Sequence, residues 1–356
     1  MLGGNSNNRN INTGIFVSAV AALAVYQWTA RSFSRRIPKD KADAKDAIVV
    51  TGSHTGIGKA AALALAREGF TVFCGVRKLE HGEELLATAR EFDIDTARVK
   101  PVLLDVTNSA QITAAVKTVA AFVGDRGLYG LFNNAGIGPA DPNGNCIEDY
   151  SMDLFRQTME VNYFGMIAVT KAFLPMIRTR RGRILTNSSL SGLFAGPFFG
   201  HYSSSKFAVE GLCDALRREL HPFGVSVSLL EPGFVMTPMT GLIPGLIKNH
   251  KGTSIYSAYE MQSFRLALKE APNAAPTTVT NQAVIHAMRA PIPQPRYVVG
   301  YLSGAMKFLS LLPTTWADAM IRSSSSNASK KNSNDMTTSE KDLERLSALS
   351  KNYFKL

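Results

Sequence analysis

AIVVTGSHTGIG, residues 47–58, carries the reading of the fold. A short apolar, β-branched run enters a turn punctuated by glycines and continues into an Ala- and Leu-rich stretch. AIVVT (47–51) reads as a strand, residues 56–69 as a helix stopped at Gly69, and TVFCGV (71–76) as the next strand. Outward from there the alternation persists. Helices are expected at 79–92 and 109–123, and strands at 99–106 and 128–134. A long helix from about 152 to 179, bent or closed near Pro175, precedes a strand at 183–189. A helix at 202–221, a strand at 225–232, a helix at about 276–290 and a strand at 296–300 complete the series.

Apolar strands separated by helices predict a parallel sheet covered on both faces. Right-handed crossovers make this an α/β, doubly wound, Rossmann-type domain, here a single one over residues 46–322. At 356 residues and 45% hydrophobic composition the chain has ample material for such a core. Cys74, Cys146 and Cys213 are scattered, and no CxxC spacing suggests a disulfide framework or a metal site.

The net charge of +11 does not read as nucleic-acid binding. Much of the excess, Arg9, Arg31, Arg35, Arg36, Lys39 and Lys41, flanks an apolar run at residues 11–30, and no acid precedes Asp40. Basic flanks around an apolar run are a membrane signature. Residues 1–45 are therefore expected to be an anchor and basic linker. The charge bias places the chain beyond residue 30 on the cytosolic side of the endoplasmic reticulum; a mitochondrial presequence is the alternative. Residues 323–356 are polar and low in complexity, expected to be disordered apart from a short terminal helix at 342–354.

Gly52, Gly56 and Gly58, with Ser53, Thr55 and Ile57 between them, lie where the first strand meets the first helix. Glycines there let a backbone approach a ligand, and a helix N-terminus favours an anion, which points to a dinucleotide pyrophosphate. A tight turn without a ligand is the bland alternative. The second strand ends in GVRK (75–78), with no acid to hold a ribose hydroxyl. Arg77, helped by Lys78, favours NADP(H), with NAD(H) possible; an ordinary solvated basic pair is the alternative.

In order along the chain stand TGSHTGIG (51–58), LDV (104–106), NNAG (133–136), VN (161–162), NSS (187–189), YSSSK (202–206) and PG (232–233). This ordered set resembles the short-chain dehydrogenase/reductase family over about residues 46–300. The apolar N-terminus, TVFCGVRK and the late PRYVVG strand are similar to its membrane-associated branch of retinol and 17β-hydroxysteroid dehydrogenases. The resemblance implies that Asp105 contacts adenine and Val106 lines that pocket. It implies that Asn133 steadies the central strand, that Ala135 and Gly136 lie against the ribose, and that Pro232, Gly233, Val235 and Thr237 hold the nicotinamide end. It also suggests a homodimer through the helices around 152–179 and 202–221.

Tyr202 and Lys206 are four residues apart, so a helix places them on one face. A free tyrosine has a pKa of about 10; a neighbouring ammonium is expected to lower it and to make Tyr202 a general acid or base. Lys206 also has the reach to donate to the nicotinamide ribose. The family spacing selects Ser189 to bind the substrate oxygen and implies that Asn162 holds a water linking Lys206 to solvent. A half-buried tyrosine beside a snorkelling lysine is the bland alternative. His201 and Cys213 on the same helix read as structural. Phe194, Phe198 and Phe199, with Met239, Leu242, Ile243 and Leu246 from a later loop, suit a hydrophobic small-molecule alcohol or ketone such as a steroid, retinoid or other lipid. A dinucleotide-binding redox sensor or scaffold without turnover is the alternative class. The complete Ser–Tyr–Lys–Asn set argues against it.

Overall fold

A computed structural model of the protein describes residues 42–138, 146–242 and 255–331. Its strands are β1 (Ala47–Val50), β2 (Thr71–Val76), β3 (Val99–Leu103), β4 (Gly130–Asn133), β5 (Arg183–Asn187), β6 (Ser226–Pro232) and β7 (Arg296–Val299). They form one sheet in the order β3-β2-β1-β4-β5-β6-β7, and every neighbouring pair is parallel. This is the doubly wound architecture expected from the alternation.

Helices α1 (Gly56–Arg67), α2 (Leu79–Glu91) and α3 (Ser109–Val123) follow the first three strands. After β4 come α4 (Met152–Met159), α5 (Met166–Arg180) and α6 (Gly200–Leu220), then α7 (Ser257–Glu270), α8 (Thr278–Arg289), α9 (Ser303–Ser310) and α10 (Thr314–Lys331). β1 shows why its sequence is apolar throughout. Ile48 and Val50 face a core shared with α1, α2 and α8, whereas Ala47 and Val49 face one shared with α3, α5 and α6. A strand buried on both faces has no solvent side on which to place a polar residue.

The long helix expected across 152–179 is interrupted, but not at Pro175. Between α4 and α5 the backbone widens into a π-helical stretch, Glu160–Gly165, while Pro175 sits inside α5. An extra residue in a helical turn rotates everything beyond it, and such insertions gather at functional sites. Asn162 lies in this stretch. At the other end, α10 runs to Lys331, into the polar stretch expected to be disordered. The apolar segment 11–30, Ile243, Leu246 and the terminal segment 342–354 lie outside the described residues. Among the described residues no helix is long and apolar enough to cross a membrane.

Candidate active site

Where β1 and β4 lie side by side, their chain connections diverge to opposite ends of the sheet, and a crevice opens at their C-terminal ends. A cleft of about 500 Å³ occupies this position. The β1–α1 turn forms its floor. Gly52 has φ +66°, a left-handed conformation, and a Cβ there would lie 2.9 Å from the Ala135 Cα. A Cβ at Gly58 would overlap the Gly52 carbonyl oxygen and Asn134 Nδ2, so only glycine lets α1 start this close to the turn. Thr55, Gly56 and Ile57 line the cleft. Thr55 caps α1 without a side-chain hydrogen bond, leaving the first-turn N–H groups without that partner. Ser53 does not line the cleft: it is fully buried, its hydroxyl donates to Val50 O at 2.7 Å, and its N–H donates to Gly75 O at 2.9 Å.

The two asparagines at the end of β4, Asn133 and Asn134, divide between them the anchoring of this strand. Asn133 is turned toward α5, where its Nδ2 donates to Thr170 Oγ1 at 2.8 Å. Asn134, which the sequence reading left without a role, also steadies the centre. Its Nδ2 donates to Thr51 O at 3.0 Å and Gly52 O at 3.2 Å, and its Oδ1 accepts from Asn187 Nδ2 at 3.0 Å. One side chain thus joins the ends of β1, β4 and β5. Successive strand residues face opposite sides, so moving the role by one position moves it across the sheet. Ala135 and Gly136 continue along the cleft wall.

At the far end Asp105 and Val106 line the cleft. The Asp105 carboxylate accepts from Thr107 N at 2.9 Å and from Thr107 Oγ1 at 2.7 Å, which fixes the turn beyond β3. Arg77 is exposed at the mouth. Beside it the rings of His54 and His81 stack with centroids 3.6 Å apart, a feature that sequence spacing did not disclose. Burial, followed by the neighbouring His81, holds His54 below the ordinary histidine value.

Ser189, Tyr202 and Lys206 meet on the opposite wall. Ser189 follows β5 and caps a short turn, its Oγ accepting from Ser191 N at 3.1 Å. Tyr202 and Lys206 project from the first turns of α6, with Lys206 Nζ 5.7 Å from the Tyr202 ring centre. Both are buried, at 9% and 5% exposure, which removes the reading of a snorkelling surface lysine. The expected lowering of the tyrosine does not hold in the protein itself. Burial pushes the Tyr202 phenol up, and hydrogen bonding with Ser189 offsets this only in part. Burial also pulls Lys206 down to about 8.

Asn162 is held in place by its side-chain amide. Its Oδ1 accepts from Ile137 N at 2.8 Å, and its Nδ2 donates to Ile137 O at 3.1 Å and Ser205 Oγ at 3.0 Å. The amide clamps the segment after Gly136 to α6 through protein contacts. His201 is buried and packs edge-on against Tyr150, with centroids 4.5 Å apart, and burial pushes the Cys213 thiol up to about 12. Pro232, Gly233, Val235, Thr237 and Met239 line the cleft, but Phe194, Phe198 and Phe199 are not among its lining residues. Phe198 adopts a left-handed φ of +67° and packs its ring against Tyr259, 5.0 Å between centroids.

A glycine-floored nucleotide cleft facing a serine, a tyrosine and a lysine defines a dinucleotide-dependent oxidoreductase. Residues 46–244 match the family described as short chain dehydrogenase, and the chain belongs to that family. It is accordingly an enzyme that interconverts hydroxyl and carbonyl groups with NAD(P). The chain is 35% identical over 291 residues to 17-beta-hydroxysteroid dehydrogenase type 6 of Bos taurus, covering 77% of this chain and 87% of that protein. It is 33% identical to retinol dehydrogenase 5 of Mus musculus, over 78% of this chain and 88% of the relative. A shorter match, 38% identical, joins 56% of this chain to 58% of the mitochondrial D-beta-hydroxybutyrate dehydrogenase of Rattus norvegicus.

Proposed function

We propose that the protein is an NADP(H)-dependent dehydrogenase/reductase of hydrophobic alcohols and ketones, with Tyr202 as its acid and base. The observation that carries this reading is the buried Tyr202–Lys206 pair beside Ser189 on the wall of a cleft whose floor only glycine can form. The cofactor fits that floor: the left-handed Gly52 and the close Gly52–Gly58 contact leave backbone amides of α1 to receive a pyrophosphate. When bound, the cofactor supplies or accepts the hydride. The protein's own groups do the rest. Ser189 donates to the substrate oxygen and steadies the charge that develops there. Tyr202 gives its proton to that oxygen in reduction and takes it back in oxidation. Lys206 favours the phenolate left behind, and Asn134, Asn162 and Asn187 hold the surrounding backbone in place.

Gly52, Ser53, Thr55, Gly56, Ile57 and Gly58 form the pyrophosphate turn, with Ser53 and Gly58 acting through its shape. Arg77 at the mouth, with no acid at the end of β2, favours a 2′-phosphate and hence NADP(H). Relatives named for a hydroxysteroid and for retinol support a lipid-like substrate, as does Met239 on the cleft wall. Residues 11–30 would hold the enzyme at a membrane where such substrates partition. The apolar run and its basic flank favour the endoplasmic reticulum with a cytosolic catalytic domain. The mitochondrial hydroxybutyrate dehydrogenase relative supports a second reading, a small hydroxy acid handled in that organelle.

A panel of androstanedione, all-trans-retinal and acetoacetate, each with NADPH and with NADH, tests this reading. Faster oxidation of NADPH with the steroid or the retinoid is expected. Turnover confined to acetoacetate and NADH would transfer the assignment to the hydroxy-acid reading.

A further inference from the structure

Behind the Tyr202–Lys206 face lies an ionic cluster that joins α6 to β6 and β7. Glu210 is one helical turn beyond Lys206 on α6, and the two residues are 7% and 5% exposed. Its carboxylate pairs with Arg296 at the start of β7. Arg296 also donates to Glu231 Oε1 at 2.7 Å and to Asp214 Oδ1 at 2.8 Å, and Arg217 donates to Asp214 Oδ1 at 2.7 Å. Glu231 is wholly buried and immediately precedes Pro232 and Gly233. The cluster therefore joins the helix that carries Tyr202 to the ends of the strands that form the nicotinamide side.

The charges are not balanced without Lys206. Glu210, Glu231 and Asp214 face Arg296 and Arg217, and Lys206 is the cation that completes the set. Glu210 and Glu231 are the buried carboxylates; burial and the neighbouring Glu231 push Glu210 up, the ion pair with Arg296 opposes this, and the carboxylate so maintained favours a charged Lys206. The groups around Lys206 itself are Tyr202, Glu210 and Cys213 on α6, Asn187 O and Ser189 after β5, and Asn162 from the π-helical stretch. Among these Glu210 is the carboxylate. A Cβ at Gly192 would touch both Ser188 Oγ, at 2.8 Å, and Glu210 Cγ, at 3.0 Å, so Glu210 also backs the turn that presents Ser189.

We propose that Glu210 is a positioning residue for the reaction: its buried carboxylate, one turn from Lys206 and fixed by Arg296, keeps Lys206 charged through the pH range in which Tyr202 regains its proton. This rests on the catalytic reading of Tyr202 and Lys206. The unfavourable burial of Lys206 is opposed chiefly by Glu210, which supports the assignment.

The test is the pH profile of kcat/KM for androstanedione reduction by NADPH in the full-length protein, or for all-trans-retinal should that be the better substrate. Glu210→Gln removes the charge with little change of shape and is expected to move the alkaline limb down by about half a pH unit or more. Glu210→Asp keeps the charge but withdraws it by one methylene, and a smaller shift in the same direction is expected. Should Glu210→Gln not fold, Glu210→Asp alone decides. A loss of packing would reduce the rate in either variant without moving the limb, so a limb coincident with that of the unaltered protein overturns the proposal. No turnover by the unaltered protein on these two substrates or on acetoacetate would instead refute the catalytic reading on which it rests.

Discussion

Lys206 Nζ donates to the backbone carbonyl oxygen of Asn187 at 2.8 Å, which ties α6 to the end of β5 beside Ser188 and Ser189. The bond holds the ammonium on the cleft wall, while burial brings its pKa from 10.5 down to about 8. Charge on Lys206 is therefore present below about pH 8 and lost above it. Because carbonyl reduction consumes a proton passed through Tyr202, kcat/KM for reduction should fall as pH rises through about 8, and Lys206→Met should abolish turnover. A reduction rate flat from about pH 6 to about 10 in the unaltered protein would contradict this role.

On the proposed NADP(H) reading, Arg77 sets the choice of cofactor. Replacing it by Asp removes the cation at the mouth and introduces the carboxylate that suits a ribose hydroxyl. NADPH affinity should fall by about 10- to 100-fold, the range for a lost charge-assisted hydrogen bond, while NADH affinity is unchanged or improved. Titration of both cofactors by fluorescence checks this. An equal loss for the two would show that Arg77 supports the loop rather than the phosphate.

Gly58→Ala tests the floor. The new Cβ would collide with Gly52 O and Asn134 Nδ2, a backbone atom and a fixed side chain. Overpacking of this kind costs about 1–3 kcal/mol, visible in thermal unfolding, and should weaken cofactor binding as the turn shifts. Gly211→Ala, on an open face of α6, is the control: it should leave cofactor binding unchanged and raise stability by about 0.5–1 kcal/mol, as for any open helix-interior glycine.

The neighbouring asparagines should separate cleanly. Asn134→Ala removes the link between the ends of β1, β4 and β5 and is expected to lower cofactor affinity. Asn133→Ala removes a buried hydrogen bond to Thr170 and should cost about 1 kcal/mol or more in stability with cofactor affinity retained. Denaturant unfolding and cofactor titration on both variants measure the contrast.

These asparagines also show where sequence reading reaches its limit. The order of strands and helices was legible because each strand is an apolar run bounded by turn residues. Tyr202 and Lys206 were legible because helical periodicity alone puts them together. The division between Asn133 and Asn134 depends on which face of β4 meets α5, and a strand buried on both sides carries no polarity signal to say which. The π-helical turn around Asn162 has no composition of its own. Pro175, the visible candidate for a bend, lies on the exposed face of α5, inside the helix. The Glu210–Arg296 pairing joins residues far apart in the chain, and the His54–His81 stack depends on how α2 sits against the glycine turn. Such contacts arise only once the sheet is assembled.

The most direct test of the central claim is single-turnover hydride transfer by Tyr202→Phe, followed by the absorbance of NADPH alongside NADPH binding to the same variant. Binding should remain within about threefold, since the aromatic body stays in place, and transfer should slow by about 100-fold or more. A variant that binds NADPH and transfers hydride at nearly the normal rate would contradict the assignment of Tyr202 as the acid and base.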